Sequence, residues 1–147
     1  MRVSVQEEPF DLAAEAGQFA QGEGASGAIV TFTGVVRDNE AGTLQAMEIE
    51  HYPGMTEKAL REIAQQAVER FDLEDVLVIH RYGRLVPGAQ IMMVATAAKH
   101  RRAAFEAADF LMDYLKSPAP FWKREITGEG ASWVDAKEAD EEALARW

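Results

Sequence analysis

Two lysines carry the first chemical signal in this chain. Lys116 and Lys123 stand seven residues apart on either side of Ser117-Pro118-Ala119-Pro120, and Phe121-Trp122 immediately precede the second. The prolines hold the connection extended, because neither can continue a helical ladder. The aromatic pair indicates apolar surroundings for Lys123. An amine held there loses hydration, so its pKa falls toward the range useful for proton transfer or nucleophilic attack. Taken alone, Lys116 is also an ordinary last-turn cation that suits the helix dipole, and Lys123-Arg124 also fits a charged gatekeeper on an edge strand. A second cluster, His100-Arg101-Arg102, opens a predicted helix, where the dipole favours anions and each cation costs stability. Free backbone N–H groups beside cations make a cradle for phosphate or carboxylate; side chains simply reaching into water are the plainer account. Arg37 ends the segment Thr31 to Arg37, in which Gly34 lets a ligand or backbone approach closely.

The elements that must position these groups follow from patterning. Arg2 to Gln6 alternates polar and apolar residues as a short strand does. Asp11 caps a helix running to about Phe19, and Gln21 to Gly27 forms a glycine-rich loop. Gly27 to Arg37 is rich in β-branched residues and is expected to be a buried strand. Asp38 to Gly42 turns the chain, and Leu44 to Tyr52 returns as a second strand. Pro53-Gly54 turns again, with Thr56 as the cap of a helix from Glu57 to about Phe71. The helix carries one apolar stripe, spaced by three and four: Ala59, Leu60, Ile63, Ala64, Ala67, Val68 and Phe71. Asp75 to Arg81 and Gln90 to Ala97 are strands. A helix from about His100 to Lys116 has Phe105, Ala108, Leu111, Met112 and Leu115 on its inner face. Phe121 to Ile126 and Ser132 to Val134 are strands, and Lys137 to Arg146 is a short acidic helix. The order βαββαββαββα implies an α+β sandwich with largely antiparallel pairing.

Composition narrows the chemistry. With 147 residues the chain is the size of a single domain, 1–147, with one sizeable core. Cysteine is absent, which removes a thiol nucleophile, a zinc ribbon and any persulfide carried on this chain. His51, His80 and His100 are isolated, without metal-ligand spacing, so no metal is expected. His80, near the end of an apolar strand, reads as a packed structural residue. The net charge of −10 argues against nucleic acid or an anionic membrane as partner. The segment from Lys99 to Arg124 is nonetheless net +3, a cationic island suited to a small anionic ligand or an acidic partner segment. The longest largely apolar stretch, Ile91 to Ala98, is far too short to span a bilayer. The first residues lack the pattern of a secretory signal, so a cytoplasmic protein is expected. No dinucleotide fingerprint or phosphate-binding loop is present.

Length adds a constraint. A helix from His100 to Lys116 is about 24 Å long, so one small ligand cannot touch both ends within one chain. Either two sub-sites exist, or a symmetric dimer sets one subunit's His100-Arg101 beside the other's Lys116 and Lys123. The dimer is preferred, since isologous pairs are the commonest assembly.

Thr31 to Arg37, His51-Tyr-Pro-Gly-Met-Thr-Glu-Lys-Ala-Leu60, Ile79-His-Arg-Tyr-Gly-Arg-Leu85 and His100-Arg101 together resemble the large, catalytic subunit of molybdopterin synthase, the MoaE family. So do Phe105-Glu-Ala107, Met112-Asp-Tyr-Leu-Lys116 and Ala119-Pro-Phe-Trp-Lys-Arg-Glu125. The resemblance covers roughly Gly27 to Trp147. It implies an α/β hammerhead-type fold with an additional antiparallel β subdomain, and a homodimer at the centre of a heterotetramer. It further implies a small ubiquitin-like sulfur carrier as partner, whose Gly-Gly C-terminus arrives as a thiocarboxylate. Two sulfurs pass to cyclic pyranopterin monophosphate, forming the dithiolene of molybdopterin, with no cofactor on this chain. By motif position Lys116 meets the carrier's C-terminus, and Lys123 acts in proton transfer or intermediate stabilisation. Arg37, His100, Arg101, Arg124 and Glu125 line the substrate pocket, with Val35 and Val36 beside Arg37 and with Phe32 and Met112 as apolar walls. Val35 stands where the family often has a basic residue, and Lys137 where an arginine is frequent, which weakens a bidentate phosphate contact there.

The residues themselves fit that chemistry in one further way. A chain without thiols needs an external sulfur donor, and Lys and Arg can supply acids and charge stabilisation without a metal. The competing account is a non-catalytic scaffold that binds a ubiquitin-like tail or a phosphorylated metabolite; such a binder tolerates alanine at Lys123.

Overall fold

The structure is a computed structural model and describes residues 1–19, 21–22, 24–135 and 138–147. Glu23 of the predicted loop and Lys137 at the predicted helix start lie outside the described residues. The described residues form β1 (Arg2–Gln6), α1 (Leu12–Phe19), β2 (Ala28–Val35), β3 (Ala46–His51), α2 (Met55–Phe71) and β4 (Asp75–Arg81). There follow β5 (Gly83–Leu85), β6 (Gln90–Ala98), α3 (Arg101–Lys116), β7 (Phe121–Thr127), β8 (Gly130–Val134) and α4 (Glu138–Ala145).

The strands divide into two four-stranded sheets, ordered β1-β4-β6-β2 and β5-β3-β7-β8. Pairing is antiparallel except for β1 against β4. Helices α2 and α3 pack together on one face of the first sheet. Their stripes bury Leu60, Ile63, Ala64 and Ala67 from α2 and Ala104, Ala107, Ala108 and Leu111 from α3. The opposite face carries a smaller cluster of Leu77, Ile79, Met93 and Ala95, covered by Phe10, Leu12 and Phe19 around α1. Strands β4 and β6 are apolar on both faces because both faces are covered. Asp11 caps α1 as its sequence position implies, its carboxylate accepting from the Ala14 N–H at 3.0 Å.

Five expectations change, the first being Phe105, which is not on the inner face of α3 but 61% exposed. Strand β2 is an edge strand rather than a buried one: Ile29 and Val35 are 40% and 50% exposed. Its β-branched composition reports strand propensity, which does not distinguish an edge from a centre. Strand β3 does not fold back on β2 but joins the second sheet between β5 and β7, a long-range pairing that local turn signals cannot announce. The three-residue strand β5 is too short to produce an alternating pattern. Finally, Thr56 is not the cap of α2. Gly54, with φ 81°, occupies that position, and Thr56 is fully buried in the first turn. Its hydroxyl donates to the Pro120 carbonyl at 2.9 Å and accepts from the Tyr52 N–H at 2.9 Å.

The last helix is fastened to α3 by charge. Arg146 reaches Asp109 at 2.7 Å and Asp113 at 2.8 Å, and the Trp147 indole N–H also donates to Asp113. The Trp147 ring meets Phe71 and Phe110 edge-on, at 5.9 and 5.5 Å between centroids.

Leu111 is completely buried where α3 meets both the first sheet and α2. Leu111→Ala is expected to lower the unfolding free energy by about 3 kcal/mol, within the usual range for a buried leucine. Urea denaturation followed by circular dichroism checks this, with an unchanged m value if only stability is lost.

Candidate functional site

The two lysines meet at the junction of the two sheets. One row of side chains crosses the first sheet, because His80 on β4 lies opposite Met92 on β6, and Met92 lies opposite Gly34 on β2. Directly opposed residues share a face, and this is the face that α3 covers. The pairing of β2 with β6 slips between Gly34 and Val35, a bulge of the kind that re-aims side chains beside functional sites. A Cβ on Gly34 would come within 3.3 Å of the Met92 side chain, so glycine lets Met92 cross the row. The C-terminal end of α3 brings Met112, Leu115 and Lys116 over this row. The chain then runs through Ser117 to Pro120, where Thr56 holds the Pro120 carbonyl, and enters β7.

On β7, Phe121, Lys123 and Glu125 share one face, and Trp122, Arg124 and Ile126 share the other. Phe121 stacks on His80, with centroids 3.8 Å apart and planes 19° from parallel. Lys123 therefore arrives beside the same row. The result is a small cavity of about 70 Å³ lined by Phe32, Gly34, Val35, His80, Ile91, Met92, Met112, Leu115, Lys116 and Lys123. A larger cleft of about 590 Å³ lies elsewhere, between α1, residues 24–26 and the start of β4. Four of its charged groups are paired, the Met1 amino group with Asp75 at 3.0 Å and Arg2 with Glu15, and it contains none of the chemically suggestive residues.

The electrostatics of the small cavity are unusual. Burial, and then the Lys116 charge, push the Lys123 amine down to about 8, with Asp140 on α4 acting weakly the other way. His80 is pushed down to about 3, chiefly by burial and further by Lys123 and Lys116, so its imidazole is neutral throughout the physiological range. The second lysine is thus an ammonium at neutral pH that gives up its proton with little further alkalinity.

Five of the sequence-derived candidates line this cavity: Lys116, Lys123, Phe32, Val35 and Met112. The others are placed elsewhere within one chain. Val36 is buried in the main core, because the bulge turns it inward and its backbone is anchored to Gly88 and Ala89. Arg37 is exposed just beyond β2. Arg124 points to the opposite face of β7, where it pairs with Glu48 and lies 5.2 Å from the Trp133 ring centroid. Glu125 shares the face of Lys123 but lies farther along β7, opposite Met47. His100 and Arg101 are exposed at the far end of α3, whose first turn has no side-chain cap. The cavity also contains His80, which the sequence led us to read as structural. The available signal was a titratable residue inside a strand otherwise apolar from Val76 to Ile79, since a buried polar group is the informative exception. Among the described residues no three His, Asp or Glu side chains gather as metal ligands.

An α+β scaffold thus sets one largely buried and one exposed lysine beside an apolar cavity at the end of a helix, in a chain without thiols. The family model of the MoaE protein matches residues 5–118, and the chain belongs to that family. It is 67% identical to the molybdopterin synthase catalytic subunit of Cereibacter sphaeroides, over all 147 residues and the whole of that protein. The solved molybdopterin biosynthesis MoaE protein from Burkholderia ambifaria superimposes with a TM-score of 0.83. It is 51% identical, over 99% of this chain and 96% of that one. The fold also recurs in a complex of subunits 1 and 2 of molybdopterin-converting factor from Helicobacter pylori. That match has a TM-score of 0.74 and 20% identity, over 92% of this chain and 90% of that one.

Depression of the Lys123 pKa has a thermodynamic consequence. Between pH 8 and the unperturbed value of 10.5, the unfolded chain binds more protons than the folded one, so stability rises with pH across that window. Below pH 8 the full cost of the buried charge is present. Lys123→Met is therefore expected to stabilise the fold at pH 7 by about 2 kcal/mol, with the gain disappearing as pH approaches 10.5. Thermal and urea unfolding of both proteins at pH 7 and pH 10 tests this; equal stability at both pH values would contradict it.

Proposed function

We propose that this chain is the sulfur-transferring subunit of a molybdopterin synthase. It moves two sulfurs from the thiocarboxylated C-terminus of a small ubiquitin-like carrier to cyclic pyranopterin monophosphate, forming the dithiolene of molybdopterin. The observation that carries this reading is the convergence of Lys116 and Lys123 on one apolar cavity, in a chain that has no cysteine to hold sulfur itself. Its near-full-length identity with a protein named as the catalytic subunit of that synthase supports it.

In each transfer the thiocarboxylate sulfur forms a bond to a substrate carbon as a carbon–oxygen bond breaks. The departing oxygen takes a proton, which the Lys123 ammonium supplies. Water then cleaves the thioester between carrier and product, releasing the carrier as a carboxylate and leaving sulfur on the product. Lys116, more exposed at the mouth, meets the incoming carboxylate-like tail. Met92 and Met112 wall the cavity beside Lys123, so its charge acts in lower dielectric, where it counts for more.

The cationic residues at the other end of α3 belong to the same reaction if two chains are paired. Helix α3 runs sixteen residues from Arg101 to Lys116, which sets its ends about 22 Å apart. A homodimer at the centre of a heterotetramer sets His100 and Arg101 of one chain near the lysines of the other, where they bind the substrate's phosphate. The uncovered edge of β2, with Ile29, Phe32 and Val35 exposed, is a surface such pairing would protect. Among the described residues no helix is long and apolar enough to cross a membrane; we assign the enzyme to the cytoplasm.

Supplied with thiocarboxylated carrier and cyclic pyranopterin monophosphate, the protein should yield the dithiolene product, detected by mass spectrometry. Lys116→Ala and Lys123→Ala should each slow transfer by at least about 100-fold, the scale of a lost acid–base group. Wild-type turnover in both variants would favour a non-catalytic scaffold. Mixing Lys116→Ala protein with His100→Ala/Arg101→Ala protein should restore part of the activity through hybrid dimers. No recovery after subunit exchange would argue against a shared pocket.

A further inference from the structure

His80 is a buried polar side chain that the mechanism above leaves idle. It is 2% exposed, and its ring is clamped against Phe121. Its Nδ1 lies 2.8 Å from the Arg81 carbonyl, and a carbonyl only accepts, so Nδ1 carries the proton. Neutral imidazole then has one remaining polar atom, Nε2, which is an obligatory acceptor. Among the described residues, the one fully enclosed side-chain polar atom without a partner is Arg124 Nε. Among the described residues Nε2 of His80 has no hydrogen-bond partner, and His80 lines the cavity.

Among the described residues, the side-chain donors lining that cavity, His80 apart, are the two lysines. Lys116 comes from α3 and Lys123 from β7, with Asp140 of α4 acting on Lys123 from outside. The sheet supplies only apolar or backbone surface there, through Met92 and Gly34. Lys123 lies on the same face of β7 as Phe121, the residue stacked on His80, whereas Lys116 is exposed. We propose that His80 is a positioning residue for Lys123. Its Nε2, without a partner among the described residues, is the acceptor onto which the Lys123 ammonium turns for the reaction, aiming that amine at the reacting carbon and opposing the loss of its proton. This deepens, and rests on, the assignment of Lys123 as the proton donor in sulfur transfer.

Two variants and one spectrum test it. His80→Phe keeps the stack on Phe121 and removes the acceptor; His80→Gln keeps an acceptor. Loss of a hydrogen bond to a charged group is expected to lower the alkaline inflection of the pH–rate profile by about one unit and the rate by about 10-fold. His80→Gln should retain the wild-type inflection. A folded His80→Phe protein with an unmoved inflection would overturn the proposal, since a purely structural role predicts that result. Should His80→Phe fail to fold, nitrogen-15 NMR of the His80 ring decides the matter without catalysis. In wild-type protein Nδ1 should be the protonated nitrogen, and Lys123→Met should shift the Nε2 resonance toward that of a free acceptor. Protonated Nε2, or a resonance indifferent to Lys123→Met, would refute the contact. If the contact is seen but no dithiolene forms with carrier and pterin, the fault lies with the proposed reaction and not with His80.

Discussion

An ammonium taken out of water is the constraint around which this protein is arranged. The Lys123 amine loses hydration and sits near another cation, and both effects depress its affinity for a proton. Such a group is costly to fold around, and a fold retains it only where the surrounding structure leaves it no alternative position. Here the stacked Phe121–His80 pair, the two methionines and the end of α3 supply that confinement. The return is an acid whose proton is labile near neutral pH, the condition under which proton transfer is most effective.

The confinement depends on joining two sheets that have different neighbours. The first sheet is covered on both faces and behaves as a rigid floor. The second is antiparallel, carries the lysine-bearing strand, and turns Arg124, Trp122 and Trp133 outward. The segment Ser117 to Pro120 is the joint. Its backbone is anchored at one point by the buried Thr56 hydroxyl, which also satisfies the Tyr52 N–H at the entrance to α2. One side chain thus couples the start of α2 to the start of β7, and a buried hydroxyl making two hydrogen bonds is costly to lose.

The cations are distributed by the helix rather than by proximity in sequence. Lys99 to Arg102 lie at one end of α3, and Lys116, Lys123 and Arg124 lie at or beyond the other. What looks in the sequence like one positive island is two separate groups. They could serve one small substrate only if a second copy of the chain closed the distance, as in the proposed dimer.

Much of this was legible in the sequence, and the boundary has a physical basis. Helix α3, with its stripe ending at Leu115 and its stop at Pro118, followed from periodicity and proline chemistry, which are local. The lysines and their apolar setting followed from residue type and spacing, as did the absence of thiol chemistry. The partners of β3 were not named, Thr56 was taken for a cap, and His80 was read as a packed structural residue, which its burial and its stack on Phe121 bear out. What each reading lacked is a partner far along the chain: β7 for β3, Pro120 for Thr56, Phe121 for His80. Sequence alone therefore determined which groups could act and which elements carry them, because propensity and spacing are properties of neighbours. Only the tertiary structure decided which groups share a cavity and how far burial moves their proton affinities, because contact and desolvation arise from packing between distant segments.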